Sequence, residues 1–268
     1  MSKNTNHVLE VKNLSIAFGG LKAVDDLSFE IKEREIFGLI GPNGAGKTTV
    51  FNCITQFYKP DNGEIYFTNN KNERTNLVGQ QVHKIIDQGL VRTFQNVELI
   101  NELTILENVL IGAHISFTSG LLAQAFNTKK AQLEEAELRE KAMRILTSLE
   151  IDHLADAYAG GLPYGISKKV ELARAVISDP KLIILDEPAA GLNDVETMQL
   201  VEMIRKIRDD LGCSILLVEH DMRLVMEVSD TVCAINFGKH LATGSPKEIQ
   251  QNKAVQEAYL GTKEEEDE

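Results

Sequence analysis

Residues 41–48 read GPNGAGKT and stand between the apolar run EIFGLI at 35–40 and the helix-compatible KTTVFNCI at 47–54. This arrangement narrows the fold more than any other feature of the chain. A strand that enters a glycine-rich loop and leaves it as a helix gathers backbone N–H groups at the helix N-terminus, where the aligned peptide dipoles add partial positive charge. A polyanion is held there. In the pattern G-x-x-x-x-G-K-[ST], Gly44 and Gly46 permit the bend, Lys47 reaches the outer phosphates of a nucleotide, the Thr48 hydroxyl is a candidate Mg²⁺ ligand, and Thr49 supplies a further phosphate hydrogen bond.

The run LIILDEP at 182–188 predicts a strand buried on both faces that ends in two adjacent carboxylates, Asp186 and Glu187. Charges seldom end a buried strand without partners. Asp186, at the end of a strand in the same sheet as the phosphate loop, is placed to hold Mg²⁺, directly or through water. One acid suffices for that task. The second, Glu187, is a candidate base that orients or polarises an attacking water. The pair points to hydrolysis of a nucleoside triphosphate rather than binding alone.

The rest of the chain supports an α/β organisation. VLEVKNLSIAF at 8–18 alternates apolar and polar residues, VDDLSFEI at 24–31 reads as its neighbour, and NGEIYF at 62–67 as another strand, so the N-terminal region is β-rich and partly antiparallel. Residues 129–149 carry Leu138, Ala142, Ile145 and Leu149 at helical spacing, and the apolar stretch 110–126 reads as helical segments of the same subdomain. From 164 onward helix and strand alternate: a helix over 168–178, the strand with the two acids, a helix over 195–211 ending at Gly212, and the strand SILLVEH at 214–220. Ser245-Pro246-Lys247-Glu248 has the form of a helix start.

Composition excludes some classes. The net charge of −12 argues against a nucleic-acid binder, whose phosphate contacts need a basic face. No apolar run approaches the roughly 20 residues that span a bilayer. Cys53, Cys213 and Cys233 lack paired spacing and read as reduced, buried thiols. The polar residues 1–7 and the acidic residues 263–268 read as disordered tails.

Three further segments refine the chemistry. Gln95, in VRTFQNVEL, stands where it can ligate Mg²⁺ or water and sense a γ-phosphate. His220 closes SILLVEH, within reach of a phosphate or the attacking water. LPYGISKKVELARAV at 162–176 sets a glycine-containing turn before a helix and so offers a second helix N-terminus to an anion.

In this order the motifs resemble those of the ATP-binding subunits of ABC transporters: GPNGAGKTT as P-loop, Gln95 as glutamine loop, LPYGI as signature loop, LIILDE as Walker B strand with its glutamate, PAAGLN as D-loop, and His220 as switch histidine. The resemblance covers roughly residues 8–262 and is strongest to the ATPase of branched-chain amino-acid importers, the larger of the two Liv-type proteins. It implies an ABC-type cassette with a RecA-like parallel core at 8–100 and 164–250, an N-terminal antiparallel β region, and a helical subdomain at 101–163. It implies ATP and Mg²⁺ as ligands, with Thr48, Gln95 and Asp186 on the metal and Glu187, His220 and Gln95 in catalysis. Nucleotide contacts fall at Phe18, the adenine-stacking position, at Val24, at Gly41, Pro42, Asn43, Gly44, Ala45, Gly46, Lys47, Thr48 and Thr49, and at Pro163, Tyr164, Gly165 and Ile166 of a facing subunit.

The implied partners are a second ATP-binding subunit (the same chain or a related one), transmembrane permeases and, indirectly, a solute-binding protein. Nucleic acid is not among them, and the implied place is the cytoplasmic face of the membrane. Departures from the usual L-S-G-G-Q signature are Pro163, Tyr164 and Ile166, and Asn193 replaces the common D-loop aspartate. The competing readings are the ATPase of another importer or of a lipid- or lipopolysaccharide-exporting system, a P-loop small-molecule kinase, a soluble ABC ATPase acting on nucleic acid, and a binding module without turnover. Lys47, Asp186, Glu187 and His220 together argue against the kinase and the inert module.

Overall fold

Glycine at 41, 44 and 46 interrupts what is otherwise a parallel-sheet pattern, and the computed structural model shows how the sheet is built around that interruption. The structure describes residues 7–93, 99–113 and 129–260, with 129–131 and 260 as backbone alone. These residues form two compact units, Met1–Arg92 with Lys181–Glu268 and Thr93–Pro180. Helix Tyr164–Val176 therefore lies in the second unit, whereas the sequence reading grouped 164–250 with the core.

The first unit contains two sheets. Strands β1 (His7–Phe18), β2 (Leu21–Lys32), β4 (Asn62–Thr68) and β5 (Arg74–Asn76) form an antiparallel sheet in the order β2-β1-β4-β5. Strands β3 (Ile36–Ile40), β6 (Leu90–Arg92), β7 (Leu182–Asp186), β8 (Ser214–Val218), β9 (Thr231–Asn236) and β10 (Lys239–Gly244) form the second, ordered β10-β9-β3-β8-β7-β6. All its pairings are parallel except the β9–β10 hairpin. The α/β class and the antiparallel N-terminal region expected from the sequence are thus present.

Burial explains the two strand patterns. β3, β7 and β8 are buried at every residue, as parallel strands covered on both faces must be. Alternate residues of the parallel sheet, Phe37 and Leu39, Leu182 and Ile184, Leu216 and Val218, Cys233 and Ile235, join β1, β2, β4 and helix Lys47–Ile54 in one apolar core. Burying a side chain of this size contributes about 1.5–3 kcal/mol, so the core fixes the loop-to-helix junction at residue 46 as firmly as it fixes the sheets. Cys53, Cys213 and Cys233 are all buried free thiols, as their spacing implied.

Helix Asp194–Leu211 begins at an Asn193–Glu196 capping box and ends at Gly212, φ 65°. The Ser245–Glu248 capping box starts helix Pro246–Gln251 as its sequence predicted. β8 ends at Val218, so His220 stands beyond the strand rather than closing it.

The second unit is helical: Ile105–Ile111, Lys129–Ser148, a short 3₁₀ turn at Asp152–Leu154, and Tyr164–Val176. Thr104 and Glu107 cap the first helix reciprocally. The buried Asn108 side chain accepts from Ile100 N and donates to the carbonyls of Ile100 and Thr104, at 2.9, 3.0 and 3.0 Å, tying the preceding loop to the helix. Tyr164–Val176 starts four residues earlier than the periodicity predicted, with Pro163, φ −54° and ψ 144°, as the residue before its first turn. It stops before Asp179, φ 53°, and Pro180. Gln95, residues 114–126 of the apolar stretch, residues 1–6 and residues 263–268 lie outside the described residues, and His7, read from the sequence as part of the tail, begins β1.

Candidate active site

The loops that follow β3, β7 and β8 leave the same, carboxyl-terminal edge of the parallel sheet, which is where open α/β sheets present their ligand groups. β3 feeds the loop at 41–46, and Gly46 is the residue before helix Lys47–Ile54 with φ 100°. A Cβ built there would meet the carbonyl oxygen of Ala23 at 2.5 Å, so both the conformation and the space demand glycine. Lys47 is buried, and its ammonium donates to the carbonyl oxygens of Gly41 at 2.6 Å and Pro42 at 3.1 Å. Burial lowers its pKa, while the carboxylates of Glu187, Glu219 and Asp186 oppose that shift.

A pocket of about 480 Å³ opens over this loop. It is lined by Asn43 to Thr49, by Glu187, and by Leu21, Lys22, Ala23 and Phe237. The volume lies within the usual range for small-ligand sites. Its lining combines main-chain N–H groups, a helix N-terminus and the Thr48 and Thr49 side chains with the exposed apolar side chains of Leu21 and Phe237.

Asp186 ends β7, almost completely buried, with Arg92 Nη2 at 3.7 Å from its carboxylate. Burial raises its pKa and the nearby Glu187 charge adds to this, while Arg92 and Lys47 pull it back. The Arg92 guanidinium lies 3.9 Å from the Phe51 ring centroid, a cation–π contact that anchors it between helix Lys47–Ile54 and β7. Glu187 has φ 46°, and its N–H donates to Val218 O at 2.8 Å. A left-handed glutamate is uncommon and stored strain of this kind concentrates at functional sites. The turn directs Glu187 into the pocket, and its Oε1 is 3.7 Å from His220 Nδ1.

Glu219 was not among the residues singled out from the sequence. Its carboxylate is fully buried, accepts from Ala189 N at 2.9 Å with Oε1, and accepts from His220 N at 3.1 Å and Asp221 N at 3.4 Å with Oε2. One side chain thus joins the loop after β7 to the loop after β8. Burial raises its pKa, opposed by those three N–H donors. The signal was present, since SILLVE repeats the pattern of an apolar strand ending in an acid.

Other sequence-predicted residues are distributed as follows. Gly41 and Pro42 are buried beneath the loop, with their carbonyls on Lys47. Phe18 packs edge-on against Tyr58, ring centroids 5.3 Å apart, and does not line the pocket. Val24 is fully buried in the core, and Leu21, Lys22 and Ala23 beside it line the pocket.

Pro163, Tyr164, Gly165 and Ile166 belong to the second unit, at the start of helix Tyr164–Val176. There the N–H groups of Ile166 and Ser167 donate to Pro163 O, each at 3.0 Å, and Ser167 Oγ reaches the same carbonyl at 3.3 Å.

Among the described residues no group of three His, Cys, Asp or Glu side chains could hold a metal on its own. The donors at hand, the Thr48 hydroxyl and the Asp186 carboxylate, are hard oxygens that suit Mg²⁺. That ion keeps several waters and is completed by substrate phosphates. The residues therefore fit a cation that arrives with its nucleotide.

Comparison with known proteins agrees with this geometry. A family profile described as "ABC transporter" matches residues 24–190, and one described as "Branched-chain amino acid ATP-binding cassette transporter" matches 239–265. The chain is 44% identical over 254 residues, 95% of its length and 98% of the relative's, to the high-affinity branched-chain amino acid transport ATP-binding protein LivG of Salmonella typhimurium. It is 43% identical over the same share of both chains to the corresponding protein BraF of Pseudomonas aeruginosa. Among solved structures, the ADP conformation of MJ1267, an ATP-binding cassette of an ABC transporter, superposes with a TM-score of 0.80 at 32% identity, covering 96% of this chain and all of that one.

Proposed function

This chain belongs to the ABC transporter family of ATP-binding proteins, and on that premise we propose that it powers amino-acid import, branched-chain amino acids being the solute class. It is an ATP hydrolase. The solute rests on the relatives' transport role and on the match at 239–265. No helix among the described residues is long and apolar enough to cross a membrane. The solute path therefore belongs to permease partners, to which this chain docks at the cytoplasmic face together with a second ATP-binding subunit.

The observation that carries the mechanism is that Glu187 lines the same pocket as the phosphate loop. Main-chain N–H groups of 43–49 and the Lys47 ammonium take the β- and γ-phosphates. To do so Lys47 exchanges its hydrogen bonds to Gly41 O and Pro42 O for phosphate oxygens. Thr48 and Asp186 would hold Mg²⁺, which would supply charge neutralisation at the phosphates. Glu187 takes a proton from the attacking water as the new P–O bond forms and the bond to ADP breaks. His220, 3.7 Å from Glu187, orients that carboxylate and the departing phosphate.

The helix start at Pro163–Ile166 serves the nucleotide of a facing subunit. Its binding to ATP but not to separated products biases the pair between closed and open states. Glu187→Gln is the test. Nucleotide binding persists, phosphate release falls by about a hundredfold or more, and an ATP-dependent dimer accumulates. Normal turnover in this variant would remove Glu187 from the role of base.

A further inference from the structure

We infer that Lys168, paired with Glu171, is a positioning residue: it acts through Tyr164 to fix the first turn of helix Tyr164–Val176, the turn offered to the nucleotide of a facing subunit. The inference rests on the facing-subunit role proposed for Pro163–Ile166 and deepens it.

The helix is secured unevenly. Its carboxyl-terminal half is held by other elements of the same unit. A Cβ on Gly112 would collide with Arg174 O, so the end of helix Ile105–Ile111 approaches to backbone distance. The Lys141 ammonium donates to Ile177 O at 2.6 Å. The amino-terminal turn has less to hold it. Pro163 brings no capping side chain. Tyr164, Gly165, Ile166 and Ser167 all keep solvent exposure, and Lys168 is the first buried side chain of the helix.

The Lys168 ammonium lies 3.2 Å from Glu171 Oε2, both side chains being buried, and 5.7 Å from the centroid of the Tyr164 ring. Residues four apart share one face of a helix, and an ammonium at this range attracts an aromatic ring by its face. Tyr164 is 41% exposed, so burial alone does not hold its ring.

Such a pair is a poor device for stabilising a helix. Taking both charges out of water costs about what their attraction returns, and apolar side chains of similar volume often serve stability as well or better. The order is also the less favourable one, since a cation that precedes an anion by one turn opposes the helix dipole. What this order supplies is a cation beside Tyr164 at the start of the helix, with its counter-ion one turn further on.

The test uses the full-length chain. Lys168→Met with Glu171→Gln exchanges the pair for neutral side chains of similar length. Its stability is read by urea denaturation, its own nucleotide pocket by calorimetric titration of ADP, and its ATP-dependent dimer by sedimentation in the Glu187→Gln background. The urea midpoint is expected at or above that of the parent, the ADP Kd within about twofold, and the dimer Kd raised about fivefold or more. Tyr164→Leu is expected to weaken the dimer as much, and to add nothing when combined with the paired variant. Lys168→Arg, which keeps the cation, is expected to dimerise as the parent does. An unchanged dimer Kd in the paired variant overturns the inference, and so does a loss that adds in full to that of Tyr164→Leu. A dimer loss accompanied by a lower urea midpoint and weaker ADP binding also overturns it, because the pair would then be a support of the fold. If the Glu187→Gln parent itself formed no dimer with Mg-ATP, the facing-subunit reading would fall, and the inference with it.

Discussion

Replacing Glu219 by glutamine isolates the link between the loops after β7 and β8 without changing side-chain volume. The carboxylate serves Ala189 N with one oxygen and His220 N with Asp221 N through the other. Glutamine keeps one acceptor oxygen, so one arm of the link becomes an N–H facing an N–H. A hydrogen bond to a charged acceptor contributes about 1.5–3 kcal/mol, and an unmet buried donor costs about 1–3 kcal/mol. Part of this is offset, because burial already disfavours the ionised carboxylate and a neutral amide is cheaper to bury. The net is about 1–2 kcal/mol, roughly a factor of 5–30 in the population with both loops in register.

The assay is phosphate release at saturating Mg-ATP, alongside nucleotide affinity measured by titration. The hydrogen bonds of Glu219 go to the loops after β7 and β8, and it acts on the phosphate loop through its charge at Lys47, so affinity is expected to change by less than about threefold while release falls about tenfold. Glu219→Ala removes both arms and leaves a cavity, with an expected stability loss of about 3–5 kcal/mol by urea denaturation. If Glu219→Gln hydrolysed ATP within twofold of the parent, or lost binding and turnover together, the linking role would be refuted.

Three further outcomes follow from the same geometry. Asp186 is expected to bind its cation only when ionised, and burial raises its pKa. Its ionised form therefore subtracts folding stability above the folded pKa, and that cost is relieved as pH falls towards the unfolded value. The acid limb of kcat/KM should lie above the ordinary carboxylate range, and Arg92→Met, which removes the nearest opposing charge, should move it higher still in a pH–rate profile. Gly46→Ala forces a Cβ to 2.5 Å from Ala23 O at φ 100°, at a cost of about 2 kcal/mol or more, readable as a lower urea midpoint and weakened ADP binding. Burial pushes the Cys53 and Cys213 thiols up to about 12 and Cys233 to about 11, so iodoacetamide should label the folded protein negligibly and the urea-unfolded chain at all three positions.

Much of this site was legible because its chemistry coincides with local pattern. The sequence GPNGAGKT between a strand and a helix specifies its own geometry, and the acids at 186 and 187 declare themselves by ending an apolar run. Glu219 ends another such run, yet its function depends on which loops meet at it, and sheet order (β8 between β3 and β7) is not written in any one segment. Phe237 was invisible for a similar reason. The strand pair around it is short, and its proximity to the loop at 41–49, some two hundred residues earlier in the chain, arises only through the β3–β9 pairing. Val24 illustrates the limit of reading single positions: strand alternation turns its side chain into the core, while its neighbour Ala23 lines the pocket. The antiparallel sheet was read from alternation, whereas β5 and β6, of three residues each, are too short to leave a periodic trace.

The carbonyl of Ala23 sits between Gly46 and Gly238 with no side chain intervening. Three distant stretches of polypeptide are therefore soldered together at peptide groups, and the joint depends on the two glycines, where any side chain would drive those stretches apart.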